Sequence, residues 1–252
     1  MRIVVKVGSA VLTQDGAIAL ERMSTLVDFL SELQKENEIL LVSSGAVSAG
    51  YTELKLDRSF LSNKQALAAI GQPILLQKYA KKFKSYNILT SQVLVTSANL
   101  AKEDDINRIQ NTVNTLIANG VIPIINENDA TSTNELEVGD NDQLSAYIAK
   151  YLGADLLIIL SDIDAYYDSD PRVNENAQIL KIVNSISKEE LEKEATPHNI
   201  FATGGIVTKL KAAAYLLEVG IDTFLASGFD LYDVKSFTLE NKHKGGTLFT
   251  RV

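Results

Sequence analysis

VIPIINENDATSTNELEVGDNDQLSA, residues 121–146, is the stretch that decides the fold. It opens with the apolar run VIPII (121–125), which predicts a buried strand, and it closes on a helical pattern that begins near Asp142. Between Ile125 and Ala146 there are six acids and five amides, and no Lys or Arg. Ligands bind beyond the carboxyl ends of the strands in open parallel sheets, so a strand that ends in carboxylates and amides indicates a binding site.

The same alternation of strand and helix continues on both sides of this stretch. No Pro-rich or Gly/Ser-rich linker divides the chain, and no internal repeat is evident. Strands that alternate with helices favour an α/β fold with a largely parallel sheet covered on both faces. The predicted strands are 2–7, 39–42, 88–96, 121–125, 155–160, 222–228 and 246–250, and the predicted helices are 23–33, 63–83, 106–117, 142–152 and 205–220.

The length, the net charge and the Cys and His content exclude several kinds of partner and of metal site. The chain has 252 residues, which suits one large α/β domain, and we predict a single domain over 1–252 with two lobes that meet near residue 170. A formal net charge of −8 argues against a nucleic-acid partner or an anionic membrane surface. The chain has no Cys, which excludes thiolate metal sites, and only two His. It shows no signal peptide and no run of ~18 apolar residues, so we expect a cytoplasmic protein.

Polar clusters follow four of the predicted strands, where ligands are expected. Lys6 is the most informative member, because a charge in an apolar strand is costly unless it is paired. A functional role is favoured for Lys6 over the alternative, an edge-strand Lys whose ammonium group reaches water. The four clusters are Lys6–Gly8–Ser9, Ser43–Ser44–Gly45, Asn126–Asp129 and Ser161–Asp162.

A fifth candidate is the loop TGGIVTK (203–209), which opens an amphipathic helix. Free backbone N–H groups at a helix start favour an anion, and Lys209 could neutralise a phosphate. A plain Gly turn with a solvated Lys is the alternative, and the motif alone does not decide between them. The stretch SSGAVSAGYT (43–52) is not a Walker P-loop, because Tyr51 stands where the phosphate-binding Lys must be. SDIDAYYDSDPR (161–172) lacks the Gly and the Glu of a calcium loop.

Six stretches together resemble the amino-acid kinase family, in the family's order and across nearly the whole chain. INENDA with GDND is the most specific pair and is similar to members that phosphorylate the side-chain carboxylate of glutamate. The single Gly loops alone would be weak signals. The six stretches are VVKVGSAVLT (4–13), VSSGAVSAG (42–50), PIINENDA (123–130), VGDNDQLSA (138–146), LSDIDAYYDSDPR (160–172) and TGGIVTKLKAA (203–213).

The resemblance implies an αβα sandwich around a mostly parallel sheet of about eight strands. It implies an N-terminal lobe for the amino acid and a C-terminal lobe for ATP. It also implies that Lys6 and Lys209 hold the transferring phosphoryl group and that Asp142 orients both lysines. The implied substrate-binding residues are Ser44, Asp129 and Asn141. The implied nucleotide-binding residues are Lys6, Ser161, Asp162, Thr203, Gly204, Gly205, Ile206, Val207, Thr208 and Lys209.

The implied reaction needs no general base, because a free Glu side chain titrates near ~4.3 and is ionised at pH 7. We expect ATP with Mg²⁺ held mainly through the nucleotide phosphates, and no metal site made by the protein. L-Proline is implied as a feedback inhibitor, and we expect a homo-oligomer. The alternatives are kinases acting on aspartate, N-acetylglutamate or a nucleoside monophosphate, and a non-catalytic sensor on the same fold.

Three departures from the family pattern leave nucleotide preference and assembly open. Ser9 replaces the usual Thr, Ala165-Tyr166-Tyr167 replaces Gly-Leu-Tyr, and Ile206 replaces Met. None of them removes a charged group. Many members also carry a C-terminal PUA domain, which we expect this chain to lack because it stops at Val252.

Overall fold

The computed structural model describes residues 1–131, 141–192 and 205–251. Strands and helices alternate along them, as the apolar runs predict. The strands are β1 (Arg2–Val7), β2 (Thr13–Gln14), β3 (Ala17–Ile18), β4 (Glu38–Ser43), β5 (Thr90–Val95), β6 (Ile122–Glu127), β7 (Leu156–Ser161), β8 (Ile182–Val183), β9 (Asp222–Ser227) and β10 (Thr247–Phe249). The α-helices are α1 (Ser9–Leu12), α2 (Leu20–Leu33), α3 (Ala46–Glu53), α4 (Leu61–Phe83), α5 (Ser97–Leu100), α6 (Glu103–Ala118), α7 (Asn141–Tyr151), α8 (Lys188–Leu191), α9 (Ile206–Val219) and α10 (Tyr232–Leu239).

Eight of the strands form one sheet in the order β5-β6-β4-β1-β7-β9-β10-β8. Neighbouring strands run parallel apart from β9 and β10, which are antiparallel. The predicted mostly parallel sheet of about eight strands is therefore confirmed. Strand β1 lies between β4 and β7, so that Lys6 is level with Val42 on one side and Ile159 on the other. The separate pair β2 and β3 forms a small hairpin.

Helices cover both faces of the sheet, and each face has its own apolar core. In β1, Val5 and Val7 face the core formed with α2 and α4, whereas Val4 faces the core formed with α7 and α9. Side chains alternate between the two faces along a strand. Lys6 therefore faces the same side as Val4, toward α7 and α9.

Helices α3 and α4 approach each other at backbone distance. A Cβ atom added to Gly71 would lie 1.8 Å from the carbonyl oxygen of Ala46, and one added to Gly50 would lie 2.0 Å from that of Leu67. Real Cβ atoms do not approach this closely, so both positions require glycine for the packing to be possible. The contact fixes the start of α3 against the middle of α4.

The structure also corrects several predicted boundaries. Strand β6 continues past Ile125 through Asn126 and Glu127, because β5 supplies pairing partners at Leu94 and Val95. Strand β8 is too short to give a periodic signal. Helix α10 was not predicted, because its sequence YDVKSFTL buries only Val234 and Ser236. No described helix is both long and apolar enough to cross a membrane.

Candidate active site

Three charged side chains from distant parts of the chain meet at the carboxyl ends of the central strands. The Asp142 carboxylate contacts the Lys6 ammonium through Oδ1 and lies 3.0 Å from the Lys209 Nζ through Oδ2. All three residues are buried, with 0% of Asp142, 4% of Lys6 and 5% of Lys209 exposed. Among the described residues, one buried carboxylate thus faces two ammonium groups.

Each member of this charged trio (Lys6, Asp142, Lys209) is placed by its own element. Lys6 lies near the end of β1, while Asp142 and Lys209 lie in the first turns of α7 and α9. Both helices cover the face toward which Lys6 points. An acid in the first turn of a helix interacts favourably with the helix dipole. The trio is therefore a consequence of strand alternation and of two helix starts that meet above one strand.

Electrostatics keeps Asp142 ionised. Burial by itself would raise the pKa of this carboxyl group, because a charge is poorly solvated inside a protein. The ammonium groups of Lys6 and Lys209 act in the opposite direction and lower the pKa to about 2. Asp142 is consequently a fixed negative charge at neutral pH, in contact with both ammonium groups.

The start of α9 adds polar groups to the trio. The Thr208 hydroxyl donates to Asp142 Oδ2 at 2.9 Å, and Lys209 Nζ donates to the Gly205 carbonyl at 2.9 Å. Ile206 and Val207 form the first turn and are half-buried. The predicted nucleotide-binding residues Thr203 and Gly204 lie outside the described residues.

Ser161 and Asp162 lie at the end of β7, next to β1. The Ser161 hydroxyl donates to Asp162 Oδ1 at 2.8 Å and accepts from the Ile163 N–H at 3.3 Å. Ser161 is buried and Asp162 is exposed. The Gly8 N–H donates to the Leu160 carbonyl at 3.0 Å, which ties the loop after β1 to this strand end.

A chain of amide side chains connects the trio to the predicted substrate-binding residues. Asn141, the neighbour of Asp142, donates from Nδ2 to the Ser44 hydroxyl at 2.7 Å and to Asn126 Oδ1 at 3.0 Å. Asn126 Nδ2 in turn donates to Gln72 Oε1 at 2.9 Å. Of the three predicted substrate-binding residues, Ser44 and Asn141 therefore meet directly.

The third, Asp129, lines a cavity of about 290 Å³ beside this amide chain. Gln72, Gln92 and Glu127 are among the other polar residues that line it. Burial raises the pKa of Asp129, and the nearby Glu127 carboxylate raises it further, to about 6. Two acids in one small cavity form a site that attracts a cation such as an ammonium group.

Two residues of this site, Gln72 and Glu127, were not singled out from the sequence. Gln72 had a usable signal, because it lies on the helical face that carries Leu67, Ala68 and Leu75 and is therefore expected to be buried. Glu127 comes two residues after the apolar run, and the sequence distinguishes it from the other five acids by no further signal. Among the described residues, no group of three or more His, Asp or Glu side chains lies close enough to hold a metal ion.

Comparison with known proteins agrees with the family resemblance. The profile of the amino acid kinase family matches residues 1–227. The chain is 49% identical to "Glutamate 5-kinase" of Wolinella succinogenes over 99% of this chain and 98% of the relative, and 49% identical to "Glutamate 5-kinase" of Leishmania donovani over 98% and 94%. Among solved structures, carbamate kinase from Giardia lamblia bound to AMP-PNP superposes with a TM-score of 0.67 at 15% identity, covering 99% of this chain and 98% of that one. The last likeness concerns the fold alone.

Proposed function

Because the chain belongs to the amino acid kinase family, we propose that it transfers the γ-phosphoryl group of ATP to the side-chain carboxylate of L-glutamate. The product is L-glutamyl 5-phosphate, and the reaction is the first step of proline biosynthesis. This reaction is supported by the relatives named glutamate 5-kinase, which match this chain over nearly their whole length. They favour glutamate over aspartate, N-acetylglutamate and nucleoside monophosphates, and a kinase over a non-catalytic sensor.

The observation that carries the mechanism is the sharing of Asp142 between Lys6 and Lys209. The transition state of phosphoryl transfer spreads negative charge over the phosphoryl oxygens, so catalysis depends on positioning and on electrostatics. Lys6 and Lys209 supply positive charge in a buried site. Asp142 aims both ammonium groups without contacting the substrate. No residue has to remove a proton, because the glutamate carboxylate is ionised at neutral pH.

The substrate's own ammonium group is assigned to Asp129. A carboxylate in a cavity with Glu127 can accept its hydrogen bonds. Ser44 and Asn141, joined by a hydrogen bond of 2.7 Å, lie between this cavity and the trio and are assigned to the substrate. The N-terminal lobe therefore binds the amino acid in this proposal, and the C-terminal lobe, beyond about residue 170, binds mainly the nucleotide.

The nucleotide is assigned to the end of β7 and the start of α9. Ser161, Asp162 and the segment 203–209 are its proposed contacts, together with Lys6. Mg²⁺ held mainly through the nucleotide phosphates would supply positive charge that offsets their negative charge. Ser161 and Asp162 place a hydroxyl and a carboxylate at the end of β7. Such oxygen atoms are suitable neighbours for a nucleotide that carries Mg²⁺, because this ion takes oxygen ligands and keeps several of its waters. We also propose that the protein forms a homo-oligomer and acts in the cytoplasm.

The test is formation of γ-glutamyl hydroxamate from L-glutamate, ATP, Mg²⁺ and hydroxylamine. We expect turnover with glutamate and poor turnover with N-acetylglutamate, whose acetylated nitrogen has lost the charge that the acidic cavity attracts. Equal turnover of both would contradict the assignment. The same assay tests regulation: L-proline shares the α-carboxylate and the charged nitrogen of glutamate and is expected to inhibit competitively. Inhibition that persists at saturating glutamate would place proline at a separate site.

A further inference from the structure

The amide chain beside the trio has a direction that the hydrogen bonds determine. Asn141 Nδ2 lies 3.4 Å from the Ser43 carbonyl oxygen, and a carbonyl can only accept. The amino end of Asn141 therefore faces Ser43, Ser44 and Asn126. The oxygen of Asn126 must then face Asn141, and its Nδ2 must face Gln72.

This direction leaves the other end of the Gln72 amide available. Its Oε1 is occupied by Asn126, so its Nε2, which carries two N–H donors, is turned away from the amide chain. Gln72 is only 7% exposed and lines the cavity, and among the described residues Nε2 has no acceptor. Because Gln72 lines the cavity, a ligand that enters it can supply the acceptor for these N–H groups.

The cavity has walls of opposite chemistry. Glu127 and Asp129 lie at the end of β6 and immediately after it and supply negative charge. Gln72 on α4 and Ala46 at the start of α3 form other parts of the lining. Helix α3 starts after Gly45 with no side-chain cap, so its first N–H groups remain available as donors. One wall attracts a cation and the other offers donors to an anion.

A free α-amino acid carries these two groups on one carbon atom, an ammonium and a carboxylate. We propose that Gln72 donates a hydrogen bond from Nε2 to the α-carboxylate of the substrate, while Asp129 takes the ammonium. Gln72 is then a specificity-determining residue for a substrate with a free α-carboxylate. This inference rests on the proposed function, since it names the contacts of glutamate in the same site.

The test replaces the amide donor of Gln72 by a carboxylate acceptor. It also compares glutamate with a substrate in which an amide replaces the α-carboxylate. Gln72→Glu keeps an oxygen for Asn126 and places a negative charge against the α-carboxylate. We expect the KM for L-glutamate to rise about 10- to 100-fold, the value of a hydrogen bond to a charged group, with a smaller change in kcat. L-Glutamic acid α-amide can donate a hydrogen bond to the new carboxylate of the Gln72→Glu variant. Its kcat/KM should therefore fall less than that of glutamate, so that the variant shifts in preference toward the α-amide.

Gln77→Glu is the matched control, because it makes the same change at an exposed position of the same helix. It should leave both KM values at those of the unmodified protein. If Gln72→Glu does not fold, Gln72→Met removes the donor without adding charge and should raise the KM for glutamate more than the KM for the α-amide, whose neutral carbonyl accepts a weaker hydrogen bond. Equal losses for both substrates in either variant would overturn the proposal and leave Gln72 a structural member of the amide chain. Failure of the unmodified protein to phosphorylate glutamate would instead count against the proposed function.

Discussion

Replacing Asp142 by Asn should damage stability and activity together. The variant leaves two buried ammonium groups facing each other without the carboxylate that holds them. Breaking a buried ion pair by removing one partner typically costs about 3–5 kcal/mol. A smaller figure follows from the carboxyl group alone, since lowering its pKa from 3.8 to about 2 corresponds to roughly 2 kcal/mol. The repulsion between the remaining lysines accounts for the difference, so we expect a loss of about 3 kcal/mol.

For a chain of this length, about 3 kcal/mol lowers Tm by roughly 6–12 °C, measurable by circular dichroism at pH 7. The kcat should fall by about 10²–10³, because both lysines lose their aim at the phosphoryl group. Asp170→Asn is the control, since its ion pair with Arg172 lies at the surface, where such pairs contribute little to stability. An Asp142→Asn variant that matches Asp170→Asn in both Tm and kcat would refute the reasoning.

The unmodified protein and the Asp142→Asn variant should also differ in how their free energy of unfolding depends on pH. The pKa of Asp142 is lower in the folded chain than in the unfolded chain, so its stabilisation is present above the ordinary value of 3.8. It is lost as the pH falls from about 4 toward about 2. The unmodified protein should therefore lose free energy of unfolding more steeply in this range than Asp142→Asn does, as followed by urea unfolding.

Three further outcomes are expected. Lys209→Ala should lower kcat by about 10²–10³, whereas Lys211→Ala, an exposed residue of the same helix, should keep it; equal kcat values would exclude the assigned role. The pKa of Asp129 is raised to about 6, and only the ionised form pairs with ammonium, so the glutamate KM should rise as the pH falls through about 6; a KM that is constant between pH 5 and 8 would contradict this. Gly71→Ala should lower Tm by more than Gly153→Ala, because the first Cβ would lie 1.8 Å from a carbonyl oxygen, whereas the second meets nothing within 4 Å and is strained only by the left-handed backbone at φ 61°; a smaller effect at residue 71 would argue against the close helix contact.

Local sequence patterns predict most of the sheet because most of its strands are apolar runs of their own. Lys6 illustrates how far this extends, since strand alternation assigns it to the same face as Val4. Local patterns do not predict structure that depends on pairing with another strand. Asn126 and Glu127 look like loop residues, and they become strand only because β5 pairs with them.

The site could be predicted only in part, for a similar reason. The residues of the trio follow from the family motifs, but their meeting depends on how two helices dock above one strand. The cavity beside Asp129 is formed by α3, α4, β5 and the end of β6, and no spacing in the sequence encodes it. The raised pKa of Asp129 and the orientation of the Gln72 amide are consequences of that assembly.

The long sequence separations within the trio have a consequence for the order of folding. Lys209 and Asp142 are 67 residues apart, and Lys6 is more distant still. Contacts between remote segments form late, because closing long loops costs conformational entropy before any contact stabilises them. An intermediate with β1 and α7 in place would hold the Lys6–Asp142 pair without Lys209. The second ammonium group arrives only when α9 docks, so such an intermediate would lack part of the positive charge that the finished site offers to a phosphate.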